Sequence, residues 1–238
     1  MKKIILFLIQ TIFIVLIIYS SYNIYIWYSA NKTNKEILNQ TQKYVTKDKE
    51  KITKIDFNEL KKINSDTVGY LKFPYLNIEI PIVKYKNNSY YLSHNYNKEE
   101  NISGWIFADY NNRFDETDKN IILYGHNTKD GSMFGKLKNL LKKDWQSTEE
   151  NQIIILITEN KTHYYQIFST YKIEPEEYYI KTIFNKEEDY KEFLQKIKSR
   201  TTYNFNIELN GENILTLSTC SEDGSQRVVI HAKEINPN

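Results

Sequence analysis

The segment ILTLSTCSEDGSQRVVIHAK, residues 214–233, contains the only cysteine of the 238-residue chain. Its first apolar run is followed by a polar turn, and a second apolar run begins after Arg227. Two such runs separated by turn-forming residues predict two neighbouring strands. Cys220 therefore lies at a strand end, close in sequence to an arginine whose guanidinium stays charged at any working pH.

The N-terminal segment predicts where the protein is located in the cell. Residues 4–28 carry no charge, and a helix of this length can cross a bilayer at about 1.5 Å per residue. No A-x-A-like cleavage site follows, so we interpret the segment as an uncleaved signal-anchor. Lys2 and Lys3 are then cytoplasmic, and Trp27 and Tyr28 lie at the outer interface. This predicts a single-pass protein of the cell membrane with an extracellular C-terminal domain.

The composition of the chain excludes some classes of function. The chain has 32 Lys and Arg against 30 Asp and Glu, so no strongly basic surface indicates nucleic-acid binding. The spacing of His, Cys, Asp and Glu matches no metal-ligand pattern, and we expect neither a metal nor another cofactor. In an exported chain, an unpaired cysteine is either a small buried apolar residue or a reactive thiol.

Four regions are predicted along the chain: a cytoplasmic tail at 1–3, a transmembrane helix at 4–28, a polar, helical stalk at 29–64 and an extracytoplasmic domain at 65–238. Short runs rich in Ile, Val and Tyr predict eight strands in this domain, at 68–73, 78–83, 104–108, 121–124, 153–157, 163–173, 214–219 and 227–233. They indicate a closed β-barrel or a β-sandwich. A short helical turn is expected at 133–140, and an apolar stripe at 187–200 predicts a helix packed on the sheet.

A catalytic cysteine needs a base or a cation beside it, because the thiol is mostly protonated at neutral pH. His163, which we expect at the surface, and His231 lie within predicted strands, and His94 follows neither a strand end nor a glycine. Structural or surface roles are expected for these three histidines. His126 differs, because it comes directly after the apolar strand 121–124 and Gly125.

His126 therefore occupies the same place on its strand as Cys220 does on its own. Strand ends of a rigid sheet can meet along one edge while the following loops stay open to a substrate. Arg227 returns from the turn to that edge. The sequence thus permits Cys220, His126 and Arg227 to come together.

Three blocks resemble the sortase family: TLSTC at 216–220 with an arginine shortly after it, YGH at 124–126, and DGSMFGKL at 130–137. The membrane-anchored N-terminus and the helix-bearing insert before the cysteine strand resemble the class B branch. The resemblance extends from about 67 to 233 and implies a mainly β fold, a closed eight-stranded barrel with flanking helices. Ser221 departs from the pattern, because many class B members have an acidic residue there.

The resemblance implies a cysteine transpeptidase of the Gram-positive cell surface, with Cys220 as nucleophile, His126 as acid/base and Arg227 as electrostatic partner. The enzyme would cleave the C-terminal sorting signal of a surface protein after threonine, and an amine of a peptidoglycan precursor would resolve the thioester. The backbone N–H of Ser221 would help to stabilise the oxyanion. Ser218, Thr219 and Ser221 are candidate contacts of the sorting peptide.

Two other interpretations stay open at this point. A membrane-tethered adhesion or scaffold domain would bury Cys220 as an inert residue, and slow labelling of the native protein by a thiol reagent would indicate it. A cysteine peptidase or an L,D-transpeptidase-like enzyme would hold cysteine and histidine in another motif context, and hydrolysis or a different donor peptide would indicate that.

Overall fold

The structure, a computed structural model, describes residues 2–47, 53–201, 203–220 and 225–236. Within these residues the α-helices are α1 (Lys2–Thr41), α2 (Phe57–Ile63) and α3 (Glu187–Ser199). The strands are β1 (Val45–Lys47), β2 (Thr53–Ile55), β3 (Thr67–Phe73), β4 (Ile78–Lys84), β5 (Phe107–Ala108), β6 (Asn120–Tyr124), β7 (Ile153–Ile157), β8 (Thr162–Ile173), β9 (Ile214–Cys220) and β10 (Arg227–Ile235). Leu137–Leu141 is a short 3-10 helix, where a helical turn was predicted.

Strands β3 to β10 close into one barrel in the order β10-β8-β7-β3-β4-β5-β6-β9, with β9 and β10 completing the circle. The pairs β4–β5 and β6–β9 are parallel, and the other pairs are antiparallel. The prediction of eight strands is confirmed, and of the two architectures the closed barrel is the correct one. Within the described residues, closure gives every strand of the barrel two neighbours, which removes a route to aggregation along this sheet.

The pattern of burial along β8 shows how the barrel is covered. Side chains in its first half alternate between half-buried and buried, as expected for a strand with one face on the core. In its second half nearly every side chain is buried, because α3 packs over the outer face. Tyr190, Phe193, Leu194 and Ile197 form the packed stripe of α3, as predicted. Acidic residues in its first turn and lysines in its last complement the helix dipole.

Helix α1 continues without interruption from the apolar N-terminal segment onto the barrel. An apolar window of this helix has a mean hydropathy of 2.5 with none of it buried, and the helix is long enough to cross a membrane. Its last turns pack on the domain through one face made of Ala30, Asn34, Ile37 and Thr41. Their spacing of four, three and four residues is that of one helix face.

Residues 29–64 contain more than the helix that the sequence predicts for them. Strands β1 and β2 pair antiparallel, with Val45 opposite Ile55. Helix α2 follows and buries Phe57 and Leu60 against the barrel residue Tyr70. The helical interpretation was therefore incomplete, because a two-stranded pair of three residues per strand is too short to leave a clear alternation in the sequence.

Candidate active site

Two parallel strands bring the predicted nucleophile and base to one end of the barrel. Tyr124 at the end of β6 is paired with Ser218 on β9. The register continues beyond the strand, since the N–H of Gly125 donates to the carbonyl oxygen of Ser218 at 3.3 Å. Extending it by one more residue puts His126 level with Cys220, the last residue of β9.

The third predicted residue joins them across the antiparallel pair of β9 and β10. Arg227, the first residue of β10, is the direct Cα partner of Cys220. Directly opposed residues of an antiparallel pair have Cα atoms about 4.5–5.5 Å apart. The backbone therefore brings His126, Cys220 and Arg227 to the same end of three adjacent strands.

The imidazole of His126 is held by the backbone of a neighbouring loop. Its Nε2 atom lies 2.7 Å from the carbonyl oxygen of Leu92. Because a carbonyl oxygen can only accept, Nε2 must carry the hydrogen and donate it. In the neutral ring this fixes the tautomer and leaves Nδ1 as the nitrogen that can take up a proton.

Gly104 closes the loop against the same ring. Its φ is +54°, in the left-handed region. A Cβ atom there would lie 2.4 Å from the carbonyl oxygen of Tyr91, 2.9 Å from that of Leu92 and 3.0 Å from Cδ2 of His126. Only glycine allows the loop to approach His126 this closely.

Arg227 is half-buried, and its Nη1 atom donates to the carbonyl oxygen of Gln226 at 3.3 Å. Among the described residues, no carboxylate lies within ion-pairing distance of its guanidinium. The guanidinium therefore retains donors for a substrate carbonyl or for an oxyanion.

The three candidate peptide contacts differ in their surroundings. Ser218 is buried, and its Oγ lies 3.0 Å from the Tyr179 hydroxyl, so it already has a protein partner. Thr219 is also buried, and its Oγ1 has no hydrogen-bond partner in the described part of the chain. Ser221 lies outside the described residues.

Sequence reasoning missed four residues that surround this end of the barrel: Leu92, Gly104, Asp109 and Tyr179. Leu92 acts through its backbone, so its residue type carries no signal. The Tyr124 hydroxyl donates a hydrogen bond to Oδ2 of Asp109 at 2.8 Å. Burial together with this carboxylate raises the pKa of Tyr124 far above its ordinary value. Tyr179 was one of 20 tyrosines, and nothing in its spacing set it apart.

His231 is a structural residue of the barrel wall. It is fully buried, with Nε2 at 2.8 Å from the Tyr171 hydroxyl and Nδ1 at 2.9 Å from Oγ1 of Thr216. Burial lowers the pKa of His231 to about 3. The ring is therefore neutral at neutral pH.

The other two histidines also have local partners. His94 stacks on Tyr90 with ring centroids 3.9 Å apart, and its Nδ1 lies 2.8 Å from the Tyr90 carbonyl oxygen. His163 lies on β8 as predicted, but its expected surface position is wrong, because its side chain is buried against Glu234 at 2.9 Å. The His163 hydrogen bond is the main reason that the pKa of Glu234 falls to about 2.

Comparison with known proteins identifies the family of this chain. A family model described as the Sortase domain matches residues 71–235. The chain is 37% identical over 213 residues to Sortase B of Listeria monocytogenes, covering 85% of each chain. This chain belongs to the sortase family. Sortase B of Staphylococcus aureus is 31% identical over 235 residues, with 96% of each chain covered, which supports the class B branch.

Solved class B sortases share the fold. The Clostridium perfringens sortase B structure superposes with a TM-score of 0.72 at 37% identity, covering 76% of this chain and all of that one. A sortase B structure from B. anthracis, in complex with AAEK1, has a TM-score of 0.77 at 32% identity and covers 88% of this chain and 100% of that one. The chain is thus a sortase-type cysteine transpeptidase, and the adhesion or scaffold interpretation is set aside.

Proposed function

We propose that this class B sortase cleaves the C-terminal sorting signal of surface proteins after threonine and transfers the protein to an amine of a peptidoglycan precursor. The register of β6, β9 and β10 is the observation that carries this proposal, because Cys220 lies between His126 and Arg227 on adjacent strands. Nucleophile, acid/base and fixed charge at one strand end are the groups that acyl transfer through a thioester needs.

In the first half-reaction the Cys220 thiolate attacks the threonine carbonyl carbon, and a negative charge develops on the carbonyl oxygen. The Arg227 guanidinium and the backbone N–H of Ser221 donate to that oxygen. His126, as imidazolium, gives a proton to the departing amine. The carbon–nitrogen bond then breaks, and the acyl group remains on sulfur.

In the second half-reaction the acceptor amine attacks the thioester carbon, and neutral His126 takes one proton from the attacking nitrogen. The carbon–sulfur bond breaks and Cys220 leaves as thiolate, so the thiolate and imidazolium that begin the first half-reaction are restored. Throughout the cycle the Leu92 carbonyl oxygen accepts from Nε2 of His126, which holds the ring while Nδ1 exchanges the proton.

Thr219 is the better supported of the described peptide contacts. Its buried Oγ1 has no partner in the described residues, whereas the Ser218 hydroxyl is engaged by Tyr179. A buried hydroxyl without a partner costs free energy that a substrate hydrogen bond would recover. Ser221 lies outside the described residues, so its role is proposed from its position in the motif alone.

The membrane topology belongs to the same proposal. Residues 1–3 are cytoplasmic, 4–28 span the membrane, and 65–238 form the extracellular catalytic domain, tethered by 29–64. The apolar window of α1 supports this, since none of it is buried against the described residues. The lysines before it favour an N-terminus inside the cell.

A partition experiment tests the transfer step. The enzyme is incubated with a quenched sorting peptide and increasing triglycine, the glycine tripeptide with which a similar sortase B has been solved as a complex. We expect the amide product to increase at the expense of the hydrolysed acid, because both derive from one thioester. Production of the acid alone at every amine concentration would contradict the amine-acceptor role.

A further inference from the structure

A cavity of about 570 Å³ lies between the end of the apolar helix segment and the catalytic end of the barrel. Helix α1 contributes Asn23, Ile24 and Trp27 to its wall, and the barrel side contributes Ile102, His126 and Lys129. The volume is within the range of about 300–1,000 Å³ typical of small-molecule sites. One residue of the proposed catalytic group therefore shares a cavity with the proposed membrane anchor.

We propose that the outer turns of α1 are a wall of the active site, and that this cavity receives the amine acceptor while it is attached to a membrane lipid. The proposal rests on the function and topology proposed above. It adds a substrate-binding role to Trp27 and Ile24, which belong to the anchor helix.

Hydrogen bonds fix α1 against the loop that borders His126. Asn34 donates from Nδ2 to the carbonyl oxygen of Gly104 at 3.0 Å, and Asn101 donates to the carbonyl oxygen of Ala30 at 3.0 Å. The Ser103 hydroxyl donates to Oδ1 of Asn31 at 2.6 Å. Because buried polar groups must keep their partners, these bonds define one position of α1 on the domain. These bonds therefore fix the position of the α1 wall relative to His126.

The position of this wall along α1 sets its height in the membrane. A hydrocarbon core of about 30 Å corresponds to roughly 20 helical residues. With Lys2 and Lys3 at the inner interface, that length ends close to Asn23. Trp27 and its neighbouring tyrosines then lie at the outer headgroup level, where such side chains are favoured. The cavity beside His126 opens at the same level.

The lining chemistry suits a membrane-held acceptor. Ile24, Trp27 and Ile102 provide an apolar surface, and Lys129 is an exposed cation at the rim. Such a surface fits an amphiphile with an apolar tail and an anionic headgroup region. An amine carried on that amphiphile would be delivered beside His126, the group that takes its proton in the second half-reaction.

The test uses the full chain in phospholipid vesicles, a quenched sorting peptide as donor, and triglycine either free or coupled through its carboxyl group to a phospholipid headgroup. We expect Trp27→Ala to raise KM for the lipid-linked acceptor by about tenfold or more, because the half-buried Trp27 would lose its aromatic contact with the bound acceptor. Tyr28→Ala is the matched control, because the neighbouring Tyr28 is 61% exposed and does not line the cavity. Equal KM values for the two variants would overturn the proposal.

A binding measurement gives a second readout that does not need turnover. In the Cys220→Ala variant, the half-buried Trp27 is the reporter at the cavity, because Trp105 and Trp145 are only 0% and 2% exposed. Adding lipid-linked triglycine should change the fluorescence, and the additional Trp27→Phe substitution should remove that change. An unchanged signal contradicts the lipid-linked site. Thioester formation by the wild-type enzyme without any amine tests the proposed function separately.

Discussion

Nε2 of His126 lies 2.7 Å from the carbonyl oxygen of Leu92, so a backbone group of another loop fixes the tautomer of the proposed acid/base. That loop returns through Gly104, whose carbonyl oxygen accepts from Asn34 of α1. The orientation of His126 is therefore linked to the position of the N-terminal helix on the barrel domain. An imidazole held in this way needs little reorganisation when it exchanges a proton.

Gly104→Ala should lower activity more than its loss of stability explains. The added Cβ would meet two carbonyl oxygens and the His126 ring, all within 3.0 Å. We expect a loss of about 2–4 kcal/mol in the free energy of unfolding, from left-handed strain plus the clash. Peptide cleavage by the folded variant should fall at least about tenfold, because a displaced base loses alignment.

Gly211→Ala is its matched control. Gly211 also has a positive φ, +96°, but a Cβ there would meet no atom within 4 Å. Its cost should be limited to strain, about 1–2 kcal/mol, with cleavage unchanged. Equal activity of the two alanine variants at a temperature where both are folded would contradict the role of Gly104. Thermal unfolding and peptide cleavage are the two measurements.

His126→Ala should lower kcat/KM for peptide cleavage by about 10²–10⁴, the loss typical of a general acid/base. His94→Ala is the control, since His94 packs on Tyr90 in the neighbouring loop and makes no contact with substrate in this mechanism. A folded His94→Ala variant that is inactive, together with an active His126→Ala variant, would show that the base was assigned to the wrong histidine.

Arg227→Lys should reduce kcat strongly, although it retains the positive charge. Lysine lacks the planar fork that can donate to two acceptors at once. Arg200→Lys is the comparison, because Arg200 is 43% exposed and lies 3.9 Å from Glu176 in a surface ion pair. We expect its steady-state kinetics to match the wild type. Similar kcat values for both variants would contradict the need for the planar guanidinium fork of Arg227.

His231 should make the fold sensitive to acid. Its pKa falls from an ordinary 6.5 to about 3 in the folded protein because of burial. Between these values the unfolded chain binds a proton that the folded chain does not, so stability falls as pH falls, by up to about 1.4 kcal/mol per pH unit. In denaturant titrations between pH 6.5 and 5, His231→Gln should flatten this dependence, whereas His94→Gln should not.

Strand existence was predictable because each strand is a short run of β-branched and aromatic residues ended by turn formers. Strand order was not predictable from these runs. The parallel pairing of β6 with β9 joins residues almost a hundred positions apart, such as Asn120 and Ile214. Residue patterns record which face is buried, and they do not record which distant strand lies beside it.

The docking of α1 escaped sequence analysis for a chemical reason. Two of the four residues on its buried face, Asn34 and Thr41, are polar. A search for apolar periodicity cannot find a face held by hydrogen bonds such as that from Asn34 to Gly104. Strand-end positions, by contrast, permitted His126, Cys220 and Arg227 to come together, and the register of β6, β9 and β10 brings them to one end of the barrel.

Intact-mass analysis of the enzyme after mixing with a sorting peptide, in the absence of amine, tests the central claim most directly. We predict a covalent adduct with the mass of the acyl fragment ending in threonine, formed by the wild type and lost on adding triglycine. Cys220→Ala should form no adduct and cleave no peptide, because the chain has no second cysteine. Cleavage that persists in Cys220→Ala, or an adduct that does not involve Cys220, would contradict the account.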